Sequence, residues 1–173
     1  MVEKSGRQRE TGEPGAPDWR AMVRPVVMRV FKGALQGISK LDDEARDVVF
    51  NEMARKCAEA NLKDWKLEAT GDMDIDTLIA EIPVRCRSVG RNISREANTI
   101  WWEAYTGDYG IGCMCVLRLG GLIEPRPEQC RCTAHFVRHI IEMTTGRKAE
   151  VEVLDSPLMG GEHCQFRMHL EDS

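Results

Sequence analysis

CRCTAHFVRHIIEMTTGRKAEVEVLDSPLMGGEHCQFRMHL, residues 130–170, changes its hydrophobic period part-way along, and that change decides the fold class. From Cys130 to Thr145 the apolar residues Phe136, Ile140 and Met143 recur at helical steps, and Gly146 follows as the residue that ends the helix. From Lys148 to Leu154 the period drops to two, with Ala149, Val151 and Val153 on one face of a strand. Ser156-Pro157-Leu158-Met159-Gly160-Gly161 is a loop, and His163–Leu170 alternates again with Cys164, Phe166, Met168 and Leu170 together.

Upstream, Ile100, Trp101, Trp102 and Tyr105 favour a strand, residues 106–110 a turn, and Ile111–Leu119 a second strand closed by Gly120-Gly121. The first half is helical in texture. Val23, Val26, Val27, Val30, Phe31 and Leu35 define one helix within residues 22–38, against the resistance of Pro25, Gly33 and Gly37. A second is capped by Asp42 or Asp43 and runs to about Ala60, and a third starts near Asp74 and heads towards Val89, with Pro83 expected to bend or interrupt it. Helices followed by β-β-α-β-β imply an α+β fold, an antiparallel sheet covered on one face by helices. Residues 1–20 read as a flexible tail and 21–173 as a single domain.

The chain has 173 residues, 30% of them charged, and a formal net charge of −4, which argues against a nucleic-acid surface. It has no apolar run long enough to span a bilayer, and its polar start lacks the core of a secretory signal. The expected location is the cytoplasm. The expected partner is a small-molecule ligand, with no nucleic acid and no membrane, and a homodimer is left open.

Seven cysteines are present, and four of them form two Cys-x-Cys units, Cys113/Cys115 and Cys130/Cys132. Thiolates are soft ligands that suit zinc or an iron–sulfur cluster, and in a reducing compartment clustered thiols point to metal or redox chemistry more than to structural disulfides. Half-buried packing is the alternative reading. A flat strand sets Cys113 and Cys115 about 6.5–7 Å apart, too far for easy chelation, so a bend at Gly110 or Gly112 is required. Cys132 lies by the helix start, where backbone N–H groups favour a thiolate, and His139 lies two turns further on. Glu103, among aromatics, reads as a salt-bridge partner, a ligand or a general base. His135 reads as a solvated helix residue and Cys57 as core.

Cys132, the amphipathic helix, Gly146, Ala149–Val153 and then Gly160-Gly161-Glu162-His163-Cys164-Gln165-Phe166 resemble the C-terminal pattern of 4-vinyl reductase-like domains. A similar ending occurs in proteins resembling L-2-amino-thiazoline-4-carboxylic acid hydrolase. The resemblance covers the C-terminal quarter of the chain. It implies an α+β domain enclosing a small-molecule pocket, with Cys132 and Cys164 as zinc ligands and Glu103 as a speculative one. The chain departs from that pattern at Leu154-Asp155-Ser156, where the family often has a cysteine.

Three functions follow as expectations. The first is a small-molecule-binding domain with a zinc or iron–sulfur site drawn from Cys113, Cys115, Cys130, Cys132 and Cys164. The second is a hydrolase acting on a small cyclic C–N substrate, with Cys132 as nucleophile or metal ligand and His139 or Glu103 carrying the proton. The third is a thiol redox sensor. Whether the protein is an enzyme is left undecided, since no complete triad or metalloprotease motif is present.

Overall fold

The computed structural model describes residues 19–86, 89–104 and 126–172. Helix α1 spans Trp19–Ile38, α2 Asp43–Trp65 and α3 Ile75–Arg85. Strands β1 (Asn92–Glu96) and β2 (Thr99–Ala104) follow, then a single 3-10 turn (Pro127–Gln129), helix α4 (Cys130–Thr145), β3 (Ala149–Asp155) and β4 (Cys164–Leu170). The four strands form one antiparallel sheet in the order β1-β2-β4-β3. The architecture is the expected α+β.

Local chemistry sets the helix ends. Asp42 Oδ1 accepts from the backbone N–H of Ala45 at 2.8 Å, and Asp74 Oδ2 accepts from those of Asp76 and Thr77 at 3.0 Å each, so two orphan donor sets are satisfied. Helix α2 runs to Trp65, five residues beyond the expected Ala60, and is capped by Lys66 in the left-handed region at φ 58°. Helix α3 continues only two residues past Pro83, in line with the expected interruption. Helix α4 ends at Gly146, φ 70°, as its composition requires. Helix α1 opens at Trp19, within the stretch read as tail, and tolerates Pro25 inside it.

The hairpin differs from the expected one. Its strands are β1 and β2, joined at Ala97-Asn98, and the strand expected at 111–119 lies outside the described residues. Strand β1 escapes a hydrophobic-period reading because only Ile93 among its five residues is apolar. Its turn has no glycine, and Ala97 itself takes φ 51°.

Alternation splits the sheet into two faces. Ile100, Trp102, Ala104, Cys164, Phe166, Met168 and Leu170 are buried on one, and α4 lays Val137, Ile140 and Ile141 over it. The opposite face, carrying Trp101, Glu103, Glu150, Glu152, Arg167 and His169, is exposed or half-buried. Helix α2 packs on the outer side of α4, and its small residues Ala54 and Ala58, fully buried, let the two helices approach closely. Each large side chain taken out of water here contributes about 1.5–3 kcal/mol. Two buried polar side chains are answered by backbone carbonyls. Trp102 Nε1–H donates to Val89 O at 2.7 Å, and Thr144 Oγ1–H donates to Ile140 O at 2.7 Å.

Candidate ligand-binding site

Polar and titratable side chains of the described chain gather along one side of α4. Residues three and four apart on a helix share a face, so His135, Arg138, His139 and Glu142 form a polar stripe. Asp47 and Asn51, one turn apart on α2, face it. His135 Nε2–H donates to Asp47 Oδ1 at 2.9 Å. Asn51 Oδ1 accepts twice, from Arg138 Nη2 at 2.6 Å and from His139 Nε2 at 2.9 Å. His139 Nδ1 lies 3.7 Å from Glu142 Oε2. Burial holds the His139 imidazole below its ordinary pKa, reinforced by the neighbouring Arg138 cation and opposed by Glu142.

Beside this seam lies a cavity of about 510 Å³, bounded by the start of α4, the first turns of α2, the edge strand β3 and the β3–β4 loop. Its polar wall is Asp47, Glu128, Arg131, His135 and Arg138, and Cys130 lies at the head of the helix. Ala134, Val151, Val153 and Met159 supply the apolar wall. Arg138 is the most telling member. One arm of its guanidinium is held by Asn51, while its buried Nε has no hydrogen-bond partner. Cys130, in the cavity's lining, meets Ser156, Sγ to Oγ 3.1 Å, and both residues are buried.

The cysteine-centred expectations fare differently. Cys113 and Cys115 lie outside the described residues. Cys130 opens α4, Cys132 is half-buried against the core, and Cys164 is buried on β4 opposite Ala104. Among the described residues, no group of three or more His, Cys, Asp and Glu side chains is placed to hold a metal ion. Cys130, Cys132 and Cys164 therefore do not make up a zinc or iron–sulfur site among themselves.

The hydrolase candidates are not brought together. Glu103 sits on the open face of the sheet, where its Oε1 accepts from Asn92 Nδ2 at 3.2 Å, whereas α4 lies on the other face. Cys132 and His139 share a side of α4 but stand about 10 Å apart along the axis, at 1.5 Å per residue. His135, read as solvated, is instead half-buried and bonded to α2. Asp47, Asn51, Arg138 and Ser156 were not singled out from the sequence. The only signal for the first two was their four-residue spacing on α2, which matches the polar stripe on α4.

No protein-family model matches the chain, and no curated protein sequence matches it. Solved structures do. The chain is similar in fold to a trafficking protein particle complex subunit 3 from Naegleria fowleri covalently bound to palmitic acid, at 12% identity, over 88% of this chain and 97% of that one, with a TM-score of 0.51. It also matches the phenol-responsive sensory domain of the transcription activator PoxR with phenol (14% identity, 84% and 73% covered, TM-score 0.47). A vinyl-4-reductase family protein from Methanocaldococcus jannaschii is a third neighbour (12% identity, 94% and 85% covered, TM-score 0.40). The first match is a likeness of fold alone, and the other two superpose more loosely. Since the first spans 88% of the chain, the likeness extends well beyond the C-terminal quarter that carries the resemblance in sequence.

Proposed function

We propose that the protein is a ligand-binding domain that takes a small organic molecule into the cavity beside α4. The observation that carries this reading is the cavity itself, about 510 Å³ with an apolar wall of Ala134, Val151 and Val153 facing a polar wall that includes Arg138. Ligand sites are typically about 300–1,000 Å³, largely apolar, with a few polar groups that fix orientation. The half-engaged guanidinium of Arg138 favours a ligand with an apolar body and an acceptor end such as a carboxylate. That a fold neighbour carries palmitic acid, itself an apolar chain ending in a carboxyl carbon, accords with this chemistry.

The test uses 1-anilinonaphthalene-8-sulfonate, which has an apolar body and an anionic end. Saturable enhancement of its fluorescence at one site per chain is expected. Val153→Trp, which fills the apolar wall, abolishes it, and Arg138→Met weakens it. An enhancement that both variants leave unchanged refutes the assignment.

The finer reading adds a metal held by Cys113, Cys115, Cys130, Cys132 and Cys164. It requires the first two to supply ligands that the described residues do not. Zinc and iron content of freshly purified protein tests it, and less than a stoichiometric amount of either removes it. The hydrolase reading receives no support from the placement of Glu103, Cys132 and His139, and the redox-sensor reading turns on Cys113 and Cys115, which lie outside the described residues.

A further inference from the structure

Helix α1 presents an apolar face that neither the core nor the cavity uses. Val23, Val26, Val27, Val30 and Phe31 are all exposed, Val30 by 68%. Their three- and four-residue spacing sets them on one stripe, while Leu35, further round the helix, turns inward and is buried. At 100° per residue, Arg24 and Arg29 fall on opposite flanks of the stripe and Lys32 on the far side. From Trp19 to Leu41 the sequence contains Arg20, Arg24, Arg29, Lys32 and Lys40 and not one Asp or Glu. The whole chain is net negative at −4, so this segment is a cationic island.

We infer that α1 lies on an anionic lipid surface, with the valine stripe at the acyl boundary and the flanking Arg24 and Arg29 at the headgroups. A helix with a cationic flank, an apolar face and modest overall hydropathy rests in the interface plane, held by buried apolar area and by attraction to anionic lipid. No helix among the described residues is long and apolar enough to cross a membrane, so the contact is peripheral. It revises the expectation that membranes play no part.

Charge decides against a second copy as the occupant. Two α1 helices paired along the stripe set the flanking Arg24 and Arg29 against the same cations. The outer face of α2 is a poor seat as well. Glu52 is already paired with Arg55 at 2.7 Å and Glu59 with Lys56 at 2.7 Å, and Val48 is the one exposed large apolar residue of α2. A lipid surface meets both the cations and the valines.

The experiment is flotation of the full chain with vesicles of pure phosphatidylcholine and with vesicles of equal parts phosphatidylcholine and phosphatidylglycerol. Partition into the anionic vesicles should exceed partition into the neutral ones at least about tenfold and fall with added salt. Arg24→Gln/Arg29→Gln together should weaken it on the order of thirtyfold, and Lys32→Gln, on the far side, should have the smaller effect. Val30→Glu should weaken it at least about tenfold, with unchanged circular dichroism because the residue is exposed. Equal partition into both vesicle types, or none into either, overturns the inference. So does a dimer that Val30→Glu dissociates in the absence of vesicle binding, which assigns the stripe to a second copy.

Discussion

His139 on α4 shares the carbonyl oxygen of Asn51 on α2 with the neighbouring Arg138, at 2.9 Å and 2.6 Å. One amide oxygen thus fixes two cation-capable side chains across the best-packed helix pair. An oxygen that accepts twice also settles the amide's orientation, since its nitrogen cannot accept. The arrangement favours a neutral His139, because a second positive charge beside Arg138 in a buried seam is costly.

The first prediction concerns pH. The native pKa of His139 lies below its ordinary value of 6.5, by burial first and Arg138 second. Between the native value and 6.5 the unfolded chain binds a proton that the folded chain does not. Stability therefore falls as pH drops through that window and recovers as pH rises towards 6.5. Urea midpoints at a series of pH values should show this slope, and His139→Gln should flatten it. An unaltered slope in the variant assigns the effect to another group.

Replacing Asn51 by Leu keeps the volume and removes the acceptor. Two donors from α4 are then left without their partner, at roughly 1–3 kcal/mol for each donor that water cannot reach. Arg138, half-buried and facing the cavity, recovers part of its share from solvent. The expected loss is about 2 kcal/mol, read from the urea midpoint at constant m-value. A change below about 0.5 kcal/mol means that water replaces the amide at both positions.

Gly146 is held by geometry on two counts. Its φ is 70°, and a β-carbon placed there meets Gly71 O at 2.5 Å, a backbone atom that cannot swing aside. Gly146→Ala should cost about 2–3 kcal/mol, at the upper end of the range for a strained backbone position. The nearby bond from Met73 N–H to Thr144 O, 2.9 Å, ties the same loop to α4. Its amide should exchange with deuterium faster in the variant. Thermal denaturation with no change in midpoint contradicts this account.

Ile140 and Val48 make a matched test of where the core lies. Ile140 has no exposed surface and sits between α2 and the sheet, whereas Val48 is 61% exposed on α2. Ile140→Ala should cost about 2–5 kcal/mol through lost transfer energy and the cavity left behind. Val48→Ala should stay within about 0.5 kcal/mol. Chemical denaturation measures both, and similar values for the two contradict the placement of α4 in the core.

Much of the architecture was legible in the residues. Phe166, Met168 and Leu170 announce a half-buried strand by period alone, and the apolar steps of α4 with Gly146 behind them announce a helix and its end. Asp42 and Asp74 mark helix starts because a short carboxylate satisfies donors that nothing else in the first turn can reach. Strand β1 was not legible, because Asn92-Ile93-Ser94-Arg95-Glu96 has no apolar alternation. Pairing with β2 makes it a strand, and pairing is a property of two segments.

The site shows the same division more sharply. Local chemistry along the chain determined the α+β class, the limits of α4, the two-faced strands and the cationic valine stripe of α1, because each depends on neighbours within a few residues. Only the tertiary structure decided that Asp47 and Asn51 meet His135, Arg138 and His139, that Cys130 touches Ser156, and that Glu103 faces away from all of them. Those relations span tens of residues and depend on which side of a sheet a helix covers. Periodicity establishes that a strand has two faces. Packing against α4 establishes which of the two is inside.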